Sequence, residues 1–232
     1  MYQETVSHQV AGAMLWSSTR SDESLPGRIL PDGCMDLIWS AHGGLLVAGP
    51  DTAAYLDDGP PGARYFGLRF APGAGPAVLG MPASELRDRR VPLSAVWASS
   101  LVREFEERVA TTRQPGRLLE SIARDRLRDH GGPDPLAALV VEHIAAGDDV
   151  AVTAAQLGLG PRQLHRRCQA LFGYGPKMLT RILRMQRALA LARSGVPAAE
   201  VAVRSGYADQ PHLSRDVRAL AGVPLGVLVG AR

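Results

Sequence analysis

At about 150 residues per domain, a chain of 232 residues holds one large domain or two small ones. Hydrophobic residues make up 46% and charged residues 21%, and no run of about 18 apolar residues occurs, so a helix crossing a membrane is excluded and a cytoplasmic protein is expected. The net charge of +3 is small but uneven: residues 148–232 hold 12 Lys+Arg against 5 Asp+Glu, a net of +7, and residues 1–147 hold 14 against 18, a net of −4. A basic C-terminal segment can concentrate at a polyanion such as double-stranded DNA, although charge alone also fits a solvated basic surface.

Residues 1–80 read as a β-rich module. Val10–Trp16, Cys34–Trp39, Leu45–Val47 and Tyr65–Phe70 are short apolar or alternating stretches, separated by Pro-Asp-Gly, His-Gly-Gly, Gly-Pro-Asp and Gly-Pro-Pro-Gly turns, as in an antiparallel sheet or barrel. Glu4, His8 and Asp22 interrupt any apolar leader in residues 1–30. The two cysteines, Cys34 and Cys168, are too few for a disulfide framework, and a reducing interior is expected. Residues 81–147 change to helical periodicity and form a helical bridge that could pair two chains: a short helix from Pro82, then helices over 97–110, 117–129 and 134–146, the last with Asp134 as N-cap and Pro135 at the first position.

From residue 148 the chain repeats itself. Leu164, Arg166, Cys168, Ala170, Leu171 and Gly173 recur 49 residues later as Leu213, Arg215, Val217, Ala219, Leu220 and Gly222, while Ala154 and Gly158 recur after 48 as Ala202 and Gly206. Each copy reads as a short helix, a glycine turn and a second helix ending at glycine, which is a helix-turn-helix twice over. On the second helices Leu164, Cys168 and Leu171, and Leu213, Val217 and Leu220, fall at i, i+4 and i+7 and face inward. Arg162, His165 and Arg166 in the first copy, and Gln210, His212 and Arg215 in the second, are left outward near the helix N-termini, where side chains reach bases or phosphates in a major groove. His165 and His212 each read as a base contact, a phosphate contact or a plain surface histidine. Between the copies, residues 176–193 read as one long helix of about 27 Å, with Met178, Leu179, Ile182, Leu183, Gln186, Leu189 and Ala190 on its apolar side. An all-helical protein-interaction domain is the alternative to a DNA reader.

Residues 148–232 resemble the DNA-binding domain of the AraC/XylS family of transcription regulators. The resemblance is carried by LGLGPRQLHRRCQALFGYGPKML, by LRMQRALALARSG and by VAVRSGYADQPHLSRDVRALAGVPL, above all by G-Y-x-D-Q-x-x-L-S-R from Gly206 to Arg215 followed by Gly222-Val223-Pro224. It implies two units inserted in adjacent major grooves of asymmetric DNA, read by Arg162, His165, Arg166, Gln210, Pro211, His212 and Arg215. Cys168 stands where the family usually has phenylalanine, and Pro211 cannot make the amide contact often found there. LPDGCMDLIW, VAGPD, GLRFAPGAG and LGMPASELRDRRVPL resemble the shortened, cupin-like sensor domain of actinobacterial members. The resemblance therefore implies an α+β protein, with a β-rich sensor at 1–80, a bridge at 81–147 and a DNA-binding domain at 148–232. It implies an activator or repressor, a small-molecule effector, a homodimer and a contact with RNA polymerase as partners.

Trp16, Cys34, Asp36, Trp39 and Arg69 are candidate effector-pocket residues, though aromatic groups there equally fill a core. His8 and His42 are the only histidines before residue 80 and lie far apart, so no metal, cofactor or metal-dependent enzyme is expected. Cys34, flanked by Asp32 and Asp36, is not activated as a thiolate, and reads as a structural cysteine, a pocket residue or a redox sensor. The alternative from another class is a small-molecule-binding or DNA-repair cysteine enzyme carrying an accessory DNA-binding module.

Overall fold

The computed structural model describes residues 2–20 and 27–230, so Asp22 lies outside the described residues. The first part is built on a six-stranded antiparallel sheet in the order β1 (Tyr2–Val6), β2 (Met14–Thr19), β7 (Arg64–Arg69), β4 (Asp36–Ser40), β5 (Gly44–Ala48) and β8 (Arg90–Pro92). A separate antiparallel pair joins β3 (Gly27–Ile29) to β6 (Tyr55–Asp57). β1 and β8 stand at the sheet's two edges, and every residue of β1 is exposed.

Strand alternation sends Leu37, Val47 and Leu68 to one face, where each is fully buried. That face is covered by α2 (Ser99–Thr111) and α3 (Pro115–Asp129), which contribute Val102, Val109, Leu119, Ile122 and Ala123 to the same core. Glu120 of α3 is buried and holds the β1–β2 turn: its Oε1 accepts from Ser7 Oγ at 2.6 Å and from the His8 amide at 2.9 Å. The glycine-rich stretch after β7 contains α1 (Gly75–Leu79), and the short helix expected from Pro82 is a single 3-10 turn, Ala83–Glu85.

A second core gathers the helices that follow: α4 (Pro135–Ala146), α5 (Val150–Gln156), α6 (Pro161–Phe172), α7 (Pro176–Arg193), α8 (Ala198–Arg204), α9 (Gln210–Ala221) and α10 (Leu225–Gly230). α4, expected in the bridge, buries Ala137, Val140 and Ile144 in this core and is the support on which the first helix-turn-helix is seated. The inward sets are as expected: Leu164, Cys168, Leu171, Leu213, Val217 and Leu220 are all buried. On α7 the buried residues are Pro176, Leu179, Ile182, Met185, Ala188 and Leu189, whereas Ala190 is exposed.

Candidate nucleic-acid interface

Each helix-turn-helix owes its shape to its turn and caps. Gly158 at φ +65° and Gly206 at φ +81° take the left-handed conformation that lets α5 and α8 leave abruptly. The Asp149 side chain accepts from the Val152 amide to start α5, and Asp209 accepts from the His212 amide at 2.6 Å to start α9. At the start of α6, Gln163 Oε1 takes the Gly160 amide at 2.8 Å. Gln163 is thereby engaged with its own backbone.

Arg162, His165 and Arg166 project together from the N-terminal half of α6, all exposed, with the two arginines one turn apart. The His165 ring lies against Gly175, where a Cβ would come within 2.5 Å of it. Their neighbour Arg167 is held by Asp134 at 2.5 Å. On α9, Gln210, Pro211 and Arg215 are exposed. His212 is half-buried, edge-on to Tyr207 with ring centroids 5.1 Å apart.

A polar network that the apolar residue pattern does not foretell ties α9 to α7. Asp216 accepts from Arg181 at 2.7 Å and from the Tyr207 hydroxyl at 3.3 Å, and the Arg184 guanidinium lies 5.2 Å from the centre of the Tyr207 ring. Burial, then the Asp216 charge, pushes the Tyr207 hydroxyl far above its ordinary range, so it stays a donor. The available signal was Asp216 itself, an acid placed between Arg215 and Arg218 on a basic helix.

A second feature left no sequence signal: the sheet module grips the C-terminal ends of both second helices. Arg87 donates to the Gly173 carbonyl at the end of α6. Pro50 packs so close there that a Cβ on Gly173 would meet it at 2.6 Å. At the end of α9, the Ala54 amide donates to Leu220 O at 2.7 Å and Arg28 to Ala221 O at 2.7 Å. Gln186 of α7 donates to Pro31 O at 2.6 Å. Basic donors on helix-terminal carbonyls also oppose the helix dipole favourably.

Of the candidate effector residues, Trp16, Asp36 and Arg69 come together on the sheet face turned away from α2 and α3. Trp16 Nε1 donates to Asp36 at 2.6 Å, and its indole lies across Gly67, where any Cβ would collide at 2.2 Å. Arg69 faces Glu4 at 3.0 Å, Asp32 at 3.3 Å and Asp36 at 3.5 Å. Burial raises the Asp36 carboxyl to about 6 against the pull of Arg69. Cys34 adjoins this group, its amide donating to Asp32 at 2.9 Å. Burial and then Asp32 and Asp36 push its thiol well up, which keeps it protonated and a poor nucleophile. Trp39 is not part of the group: three residues beyond Asp36 on one strand, it lies on the opposite face, 5.9 Å from the Phe66 ring. Among the described residues no His, Cys, Asp and Glu group is placed to hold a metal ion, and no helix is long and apolar enough to cross a membrane.

Residues 153–229 match a family described as a helix-turn-helix domain, and residues 10–92 match one described as a domain of unknown function (DUF6597). No curated protein matches the chain. Similar solved structures include the C-terminal domain of AraT, a response regulator from Geobacillus stearothermophilus, at 24% identity and TM-score 0.40 over 43% of this chain and 87% of that one. A transcriptional regulator with an AraC-type DNA-binding domain from Chromobacterium violaceum matches at 21% identity and TM-score 0.39, over 41% and 89%. ToxT from Vibrio cholerae O395 matches at 9% identity and TM-score 0.47, over 99% of both chains.

Proposed function

We propose that this chain, whose residues 153–229 form a helix-turn-helix domain, is a sequence-specific DNA-binding transcription regulator of the AraC/XylS kind. The observation that carries the reading is the doubled reader: two capped helices of 12 residues, α6 and α9, present Arg162, His165 and Arg166, and Gln210, Pro211, His212 and Arg215, from their N-terminal halves, joined by the 18 residues of α7. Arginine pairs with guanine edges or phosphates and glutamine with adenine edges, so these residue types suit a major groove. In this reading residues 148–232 bind DNA, seated on α4.

The sheet module is the sensor in the same reading, a cupin-like domain for a small-molecule effector engaging Trp16, Asp36 and Arg69 beside Cys34. Its support is the grip on α6, α7 and α9: the segment from Pro50 to Ala54 meets the ends of both α6 and α9, and Pro31 meets α7 between them. A homodimer and a contact with RNA polymerase complete the proposal. Selection of bound fragments from a genomic library at about 150 mM salt tests it. Enrichment of one asymmetric bipartite motif is the expected result, and a folded sample that enriches nothing contradicts it.

A further inference from the structure

Beyond the two reading helices, the helical part contains a cleft of ≈ 870 Å³ between the first unit and the turn of the second. It is lined on one side by Gly147, Asp148, Asp149 and Val150, where the two carboxylates are engaged by the His143 ring at 2.8 Å and the Val152 amide at 2.8 Å, on the other by Ser205 and Gly206 at the turn leading to α9, and along its floor by α7. Four cations of α7 face it: Lys177, Arg181, Arg184 and Arg187. At about 100° per residue these positions fall within roughly a third of the helix circumference, a stripe of about 15 Å. The side of α7 that meets the sheet module, at Leu179 and Gln186, lies opposite.

The stripe is held in place. Arg181 is fixed by Asp216, Arg184 by the Tyr207 ring and Arg187 by the Ala145 carbonyl at 3.3 Å, while Lys177 at one end and Arg187 at the other are exposed. The Ser205–Gly206 wall of the cleft leads within four residues to the N-terminus of α9, the end proposed to meet base edges. A duplex seated on both readers would carry its backbone from one major groove to the next along the element that joins them, α7. Phosphates of one strand advance about 3.4 Å per nucleotide along the helix axis and lie farther apart along the backbone itself, so a stripe of this length can face more than one of them.

We propose that α7 is a third DNA-binding element, not only a spacer, and that its basic cleft takes the phosphate backbone between the two major-groove sites. The inference rests on the DNA-binding reading and adds a contact that carries affinity without sequence information. The test is the salt dependence of full-length protein binding to its selected motif. Lys177→Gln and Arg187→Gln should each make the slope of log K against log salt shallower by about 0.9 per lost phosphate contact and leave the selected motif unchanged. Lys177→Arg should keep the parental slope, as should Arg193→Gln, a control on the opposite side of α7 whose parental slope shows that general surface charge is not responsible. All three positions are exposed, and a thermal melt checks folding. Unchanged slopes for Lys177→Gln and Arg187→Gln in a protein that still selects its motif overturn the cleft proposal alone. Failure of the parent chain to bind any DNA overturns the reading on which it rests.

Discussion

The two helix-turn-helix units share a pattern but differ in how their reading helices are supported. α6 is seated on α4, is tied there by Arg167 to Asp134, and presents three exposed basic or imidazole groups. α9 is tied to the linker through Asp216, and its histidine is half withdrawn against Tyr207. The sheet module holds α6 at its end by one side-chain hydrogen bond and α9 by a backbone and a side-chain hydrogen bond. One sequence repeat has thus been fitted to two roles: the first unit offers charge with free side chains, and the second offers a neutral amide and one arginine on a helix locked in orientation.

The largest effects should come from the shared core. Leu164→Ala and Leu213→Ala each leave a cavity at a fully buried position and should cost about 2–5 kcal/mol, read as a fall in the denaturant midpoint. Equal losses would show that the two units draw equally on that one core. Next come the reading faces. Arg166→Ala and Arg215→Ala should each weaken specific DNA binding by about 1–3 kcal/mol in fluorescence anisotropy with the melting temperature unchanged. An unaltered affinity for either removes that residue from the reader. Asp216→Asn should destabilise by about 1–2 kcal/mol, because Arg181 and Tyr207 lose a charged acceptor while the exposed side of Arg181 remains screened by water. A neutral result in calorimetry would mean that the second unit is not locked as described.

A pH-dependent effect belongs to the sheet alone. The Asp36 carboxyl titrates near 6 when folded against an ordinary value of 3.8, so the folded state binds the extra proton between those values. Its ionisation therefore opposes folding fully above pH 6, and that penalty is relieved as pH falls toward 4. Asp36→Asn should remove this part of the pH dependence in urea unfolding between pH 4 and 6. An identical profile in the variant contradicts the assignment.

The repeated half was the more legible in sequence. Pro161 and Gly173 bound α6, Asp209 and Gly222 cap α9, and the expected helix 176–193 is α7 to the residue, because caps and prolines are local signals. The sheet was less so. β1 is an exposed edge strand with no buried side to alternate against, and β3, β6 and β8 are three residues each, too short for a period. Trp39 and Asp36 are close in sequence, yet strand parity sends them to opposite faces. The bonds that join the modules end largely on carbonyl oxygens of Gly173, Leu220, Ala221 and Pro31, acceptors every residue carries, and so leave no mark in the side-chain pattern.

The central claim is that two distinct surfaces read two adjacent DNA segments. Selection from a randomised duplex library with the parent chain, Arg166→Ala and Arg215→Ala tests it most directly. The account predicts two blocks of preferred bases about one helical turn apart, with each variant erasing a different block. A single block, or two variants that erase the same one, would contradict it.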